Sequence, residues 1–204
     1  MFSLFSVSKY GKKQTLQPTN QAGFGLIELM VSIAIIALIT GVILTRQSGF
    51  NSAVLLRSEA YELALQVREV QLTAVSVSGD TGTADFRSVL GLYFNSNAGL
   101  NTGYSIFLDD DNDEFFDSDE VNGPQGFIDP RFEIREIRLG STTVAEVSVI
   151  FERPNFDARF FTAPNVESSE TALEIDIARR GVTGAGANVL RTVEITTAGQ
   201  IGVQ

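Results

Sequence analysis

Eight of the twelve residues from Asp109 to Glu120 (DDDNDEFFDSDE) are acids. Counted from Asp109, carboxylates fall at loop positions one, three, five, nine and twelve: Asp109, Asp111, Asp113, Asp117 and Glu120. The backbone carbonyl of Phe115 falls at position seven. Alternate residues on a tightly turning chain point to one side, so this spacing can gather hard oxygens around a divalent cation such as Ca²⁺. The same charges also suit a solvated loop tip, where water screens their mutual repulsion. A second carboxylate stands apart. Glu28 is the one charged residue between Phe24 and Leu44, a stretch otherwise apolar or small except for Ser32 and Thr40. An acid at mid-membrane costs about 2.5–3.5 kcal/mol, so a residue kept in such a run is a functional candidate by default. The chain has no Cys and no His. That removes disulfides, thiolate metal sites, and the commonest general base and zinc ligand. No G-x-S-x-G or Walker pattern occurs either. A membrane-anchored exported enzyme is therefore disfavoured, although paired carboxylates would still suit a glycosidase.

The elements that hold these residues follow from patterning. Phe24–Leu44 is 21 residues long. At a rise of about 1.5 Å per residue it reaches roughly 31 Å, enough to cross a bilayer core. Every Lys (Lys9, Lys12, Lys13) precedes Gly23, and every Asp and Glu follows it. Positive charge before the span places the N-terminus in the cytoplasm and the remainder outside the inner membrane. After Gly23 there are 12 Arg against 25 acids, a net charge of −13. So acidic a region suits sequence-independent DNA binding poorly, because that rests on neutralising phosphates.

The segment around Glu28 resembles the class III signal of type IV pilins and type II secretion pseudopilins. It has a Gly, then a Phe, then an apolar helix with Glu five positions after the Gly. The resemblance implies that a prepilin peptidase cuts between Gly23 and Phe24, that Phe24 is N-methylated, and that Glu28 guides assembly by attracting the N-terminal amine of a neighbouring subunit. Residues 1–23 are then a cytoplasmic leader. Gly25 departs from the Thr common in the family, and no Pro stands near Thr45. Neither departure touches Glu28.

Beyond Arg46, Leu56, Ala60, Leu63, Val67, Val70, Ala74 and Val77 recur at steps of four and three. This stripe predicts that 46–78 continues one long helix, apolar all round over 24–45 and then amphipathic against a core. Thr40–Gly41 is a place where that helix could loosen, Gly49 one where it could bend, and Gly79–Asp80 a stop signal. From 79 to 204 the signals are those of strands: Ser88–Phe94, Tyr104–Leu108, Phe132–Leu139, Thr143–Phe151, Ala172–Arg179 and Val189–Thr196. Leu173, Ile175 and Ile177 alternate with Glu174 and Asp176, as on a half-buried strand. Gly181–Asn188 reads as a hairpin loop, since neither a helix pattern nor a Lys follows to make it a phosphate cradle. The expected fold is α+β, a long N-terminal helix packed on an antiparallel β-rich head of one sheet or two packed sheets.

The closing segment from Arg191 resembles the last strands of pseudopilins and minor pilins of the GspH/FimT kind, in which a strand, a Gly turn and a short final strand end the chain. The acidic loop resembles an EF-hand calcium loop, with Glu114 where that loop has its turn-forming Gly and no helix following. The implied cofactor is a structural Ca²⁺ on Asp109, Asp111, Asp113, Phe115, Asp117 and Glu120. DNA-uptake minor pilins use basic residues near the C-terminus, for which Arg179, Arg180 and Arg191 are the candidates here. Arg131, Arg135 and Arg138 form the other basic grouping. Arg135 and Arg138 stand among Glu133 and Glu136, which suggests local ion pairing. Taken together, the resemblance implies a structural subunit of a pilus-like filament. Its partners would be other pilin or pseudopilin subunits, the prepilin peptidase, an inner-membrane assembly platform and membrane lipid. A secretion pseudopilin is the nearest alternative.

Overall fold

Leu26–Val75 forms one α-helix of 50 residues, α1. The structure is a computed structural model that describes residues 23, 25–76, 89–151, 156–186 and 188–204, the side chains of 45–50 excepted. Residues 1–22 of the leader, Phe24, Val77, Ser78, the Gly79–Asp80 stop signal and Ser88 lie outside the described residues. The chain divides into two units, Met1–Thr45 and Arg46–Gln204.

In the first unit, α1 opens on the carbonyl of Gly25, which accepts the N–H groups of Glu28 at 3.0 Å and Leu29 at 3.1 Å. Leu26–Leu44 is long and apolar enough to cross a membrane, with a mean hydropathy of 2.6, and none of it is buried. That is the pattern of a helix whose solvent is lipid. Gly41 lies inside α1, and so does Gly49 in the second unit, so neither breaks the helix. The cost of one Gly, roughly 1 kcal/mol, is small against the propensity of the surrounding Leu, Ile and Ala.

In the second unit, the sequence stripe is the buried face of α1. Leu56, Ala60, Leu63, Val67, Val70 and Ala74 are all buried. Gln71 is buried beside them, which the apolar spacing did not indicate. Its amide donates to the carbonyls of Phe156 at 2.6 Å and Gly199 at 3.1 Å, so helix and head share a polar clasp inside the core. The helix ends at Val75, and the expected end at 78 lies outside the described residues. The Ser76 hydroxyl there donates to the Thr73 carbonyl at 2.9 Å. A side chain that caps a carbonyl of the last turn competes with continuation of the helix.

Eleven described strands follow: β1 (Val89–Asn95), β2 (Gly103–Asp109), β3 (Gly126–Phe127), β4 (Phe132–Leu139), β5 (Thr142–Val144), β6 (Glu146–Phe151), β7 (Ala158–Ala163), β8 (Val166–Glu167), β9 (Ala172–Arg179), β10 (Leu190–Thr196) and β11 (Ile201–Val203). They form two antiparallel sheets, sheet A in the order β3-β2-β1-β6-β7-β8 and sheet B in the order β11-β10-β9-β4-β5. The fold is α+β: an apolar N-terminal helix that runs on into an amphipathic stretch, followed by an antiparallel β head of the pilin-like kind. One core joins the α1 stripe to Leu92, Phe94, Val149 and Phe160 of sheet A and to Ile134, Ile137, Ile175, Ile177 and Val193 of sheet B.

The single run expected at Thr143–Phe151 is two strands in different sheets. β5 pairs with β4 in sheet B, while β6 pairs with β1 in sheet A. The chain changes sheets at Ala145, whose carbonyl accepts the Ser96 N–H at 2.8 Å. A crossing made by one alanine carries no Gly or Pro punctuation, and β-rich composition does not say which partner a strand takes. β3 and β8 have two residues each, too few to show alternation, and β7 lacks a clean period.

The turn between β10 and β11 depends on Gly199. Its φ is +74°, and a Cβ there would lie 1.9 Å from the Phe156 carbonyl oxygen. Both the backbone conformation and the space require glycine. Gly199→Ala is expected to lower the melting temperature by about 5 °C, from roughly 2 kcal/mol of strain and clash. Thermal unfolding followed by circular dichroism checks this.

Candidate functional site

Glu28 sits in the first turn of α1, exposed, one turn from where the helix begins. The Ser32 hydroxyl donates to the Glu28 carbonyl at 2.7 Å, so Ser32 satisfies itself within the helix and leaves the Glu28 carboxylate uninvolved in that bond. An acid near a helix N-terminus is favoured by the partial positive charge of the unpaired N–H groups. That lowers the cost of keeping it in an apolar segment. Gly23 is described and open, with no heavy atom within 4 Å of where a Cβ would stand. Phe24 and residues 1–22 lie outside the described residues, so only the Gly side of the expected cleavage junction is described.

The acidic loop leaves β2 at Asp109 and returns at Val121, which bridges to Phe107. Its tip is solvated, with Asp110, Asp111, Asp117 and Asp119 exposed, but its two end carboxylates are not. Asp109 is 1% exposed and Glu120 8%. Glu120 closes the loop by accepting the N–H groups of Asp110 at 2.9 Å and Asp117 at 3.1 Å. Asp109 Oδ2 accepts the N–H of Glu114 at 3.2 Å. Burial pushes both carboxyls above the ordinary carboxylate range, while these backbone N–H groups pull the other way. Asn112 and Glu114 carry φ of +62° and +63°. Glu114 thus adopts the left-handed conformation for which an EF-hand uses glycine, and its side chain is held by Arg159 at 2.9 Å. The structure brings the five carboxylates together as two trios that share Asp111, not as one ring. Asp109, Asp111 and Glu120 form one trio and Asp111, Asp113 and Asp117 the other, each with carboxylate oxygens within 4.8 Å of one another. Phe115 donates its N–H to Asp113 Oδ1 at 2.8 Å.

The phenylalanines of the loop fold inward. Phe116 stacks on Tyr93 at 4.6 Å and meets Phe107 edge-on at 5.6 Å, while Phe115 meets Tyr93 edge-on at 5.9 Å. They cover Phe107, Ile150 and Phe161 on the outer face of sheet A. A Cβ at Gly91 would lie 2.6 Å from the Phe107 ring, so β1 is thinned there to admit it. The Phe116 N–H donates to Ser148 Oγ at 3.1 Å, and the Asp113 carbonyl accepts the Asn165 N–H at 2.7 Å. Sheet A is therefore apolar on both faces, and the acidic loop is the lid of the second. β1 and β2 were legible as β-rich runs. The covering of their outer face was not, because the cover comes from a segment whose composition reads as solvent.

The arginines are dispersed. Arg179 and Arg180 are exposed at the end of sheet B, and Arg180 faces Glu133 at 3.6 Å. Arg191 is half-buried, and its Nε is enclosed with no hydrogen-bond partner among the described residues. Arg131 pairs with Asp129 at 2.7 Å, which holds that carboxyl near 2. Arg135 departs from the expected ion pairing. Its guanidinium donates to the carbonyls of Gly184 at 2.9 Å and Arg179 at 3.2 Å, and so ties down the Gly181–Asn188 loop. A loop whose carbonyls face a guanidinium is not arranged to cradle phosphate with its N–H groups.

A groove of about 480 Å³ runs between α1 and β2–β3, lined among others by Glu62, Glu69, Tyr104, Asn122 and Phe127. Burial, and then Glu62, Glu59 and Glu69, push the Tyr104 hydroxyl up to about 12. It stays protonated and a hydrogen-bond donor at neutral pH.

Comparison with known proteins gives a family match over the N-terminal segment. Residues 18–44 fit the model of the prokaryotic N-terminal methylation motif. No curated protein and no solved structure matches the chain. The matched segment takes in Gly23, Phe24, Glu28 and all of Leu26–Leu44, the exposed apolar part of α1. The chain carries the class III signal of the type IV pilin and pseudopilin family, on the one helix among the described residues that is long and apolar enough to anchor it in a membrane.

Proposed function

We propose that the chain is a structural subunit of a type IV pilus-like filament, a minor pilin, and that its work is packing rather than catalysis. The observation that carries this reading is the coincidence of three features in one segment: the methylation motif at 18–44, the fully exposed apolar helix Leu26–Leu44, and Glu28 in its first turn. Prepilin peptidase cuts between Gly23 and Phe24, and Phe24 is methylated. The span waits in the inner membrane with the leader in the cytoplasm and the β head outside. It then leaves lipid for a bundle of like helices, which replace lipid contacts with side-chain packing. The Glu28 carboxylate and the N-terminal amine of a neighbouring subunit attract strongly where the dielectric is low, and each relieves the other's burial cost. A pseudopilin of a secretion system works by the same packing. Recovery of the chain in surface filaments or in a periplasmic one separates the two.

The test is mass spectrometry of the chain purified from its host membrane. The expected mature N-terminus is Phe24 carrying one methyl group. A chain that retains residues 1–23 overturns the reading.

A further inference from the structure

The acidic lid contains an atom that its own chain leaves unsatisfied. Asp109 is 1% exposed, its Oδ2 accepts the Glu114 N–H, and its Oδ1 has no hydrogen-bond partner among the described residues. Leaving a buried carboxylate oxygen unpaired costs several kcal/mol in proteins, so native structures seldom do it. The neighbours of this carboxylate are further acids. Asp109 shares a trio with Asp111 and Glu120, and Asp111 shares a second with Asp113 and Asp117. A cation is the kind of partner that satisfies several such oxygens at once.

We propose that the Asp109–Glu120 loop binds Ca²⁺ through these carboxylates, and that the bound ion locks the Phe115–Phe116 lid over the outer face of sheet A. The donor set is all oxygen in a chain without His or Cys, which selects a hard cation. Mg²⁺ demands a small octahedral site and gives up water reluctantly, whereas Ca²⁺ accepts six to eight oxygens in an adaptable loop. The coupling to the lid is positional. Phe115 and Phe116 lie between Asp113 and Asp117, two members of one trio. Neutralising that trio lets the loop stay closed with Phe116 on Tyr93 and Phe107. Without the ion, repulsion among the acids favours opening, which exposes the Phe107, Ile150 and Phe161 surface. Calcium then governs how much aromatic surface the head shows. This inference stands apart from filament assembly, since it uses nothing before Val89.

The experiment uses the full chain in detergent. Tb³⁺ stands in for Ca²⁺ and is excited through tyrosine, with Tyr93 against the lid as the donor. Melting temperature and binding of an apolar dye are then followed with Ca²⁺, Mg²⁺ or chelator. The expected result is saturable Tb³⁺ luminescence displaced by Ca²⁺. At a hundredfold excess over Kd, Ca²⁺ raises the melting temperature by about 5–10 °C. Dye binding falls with Ca²⁺ but not with Mg²⁺. Asp111→Asn, at the residue both trios share, removes these responses, whereas Asp119→Asn, outside both, keeps them. No saturable Tb³⁺ signal in the wild-type chain overturns the site, whatever the variants do. Equal Ca²⁺ responses in both variants reduce it to charge screening and overturn it as well. Tight Ca²⁺ binding with unchanged dye binding overturns the lid.

Discussion

Glu28→Ala is expected to cut incorporation into filaments by two to three orders of magnitude, with the chain still processed, inserted and folded. The size follows from the pairing proposed for this residue. Removing one partner of a buried ion pair leaves the other charged and unpaired, at about 3–5 kcal/mol. At 1.4 kcal/mol per factor of ten, the lower part of that range is roughly a hundredfold to a thousandfold, and its top is a few thousandfold. The loss falls on assembly because the Glu28 side chain is exposed in the isolated chain, in the Leu26–Leu44 stretch of α1, none of which is buried. Alanine also favours the helix and removes an acid from an apolar run, so insertion is unchanged or eased. Glu28→Gln keeps shape and hydrogen bonding but not charge, and it is expected to fail nearly as badly. The measurement is the ratio of chain in sheared filaments to chain in the membrane fraction, with mass spectrometry confirming the mature N-terminus. Wild-type incorporation of Glu28→Ala would remove the ion pair from the assembly step.

Arg138→Ala is expected to destabilise the head by about 3 kcal/mol, the largest loss from any single polar residue in the described head. Arg138 lies on the outer face of sheet B and reaches across from β4 to β9. It donates to Glu174 at 2.7 Å and to Asp176 Oδ1 at 3.1 Å, and faces Glu136 at 3.6 Å. These bonds, to Asp176 first and then Glu174, raise the guanidinium pKa further above its already high value. Asp176 is only 4% exposed, and its remaining partner is the Thr192 hydroxyl at 2.6 Å. Without Arg138, three acids crowd one strip of sheet, and one of them is enclosed. Arg138→Ala together with Asp176→Asn is expected to recover part of the loss, because the enclosed charge goes with its partner. Denaturant unfolding of the two variants gives both numbers, and an Arg138→Ala loss below about 1 kcal/mol would mean that water replaces the guanidinium.

Much of the head was readable where one physical requirement sufficed. The α1 stripe could be found because burial on one helix face demands a 3.6-residue period, and all six described members of that stripe are buried. β4 and β9 came out at their observed bounds because one face meets the core and the other carries paired polar side chains, so Ile175 alternates with Asp176 and Ile137 with Arg138. Gln71 defeated that logic. A glutamine at an interior position is legible only once the carbonyls of Phe156 and Gly199, far away in sequence, are seen to need a donor.

The linear chain decided what depends on near neighbours: a span long and apolar enough for a bilayer, a Gly-Phe-Glu spacing, a helix face, and acids at alternate positions. Each is a property of a few consecutive residues in one solvent. Folding decided what depends on residues brought together from afar. It split Thr143–Phe151 between two sheets, bent Glu114 into a glycine's conformation under the grip of Arg159, and turned an acidic run into the cover of an aromatic face. Those outcomes turn on which surfaces compete for the same space, and no local window contains that competition.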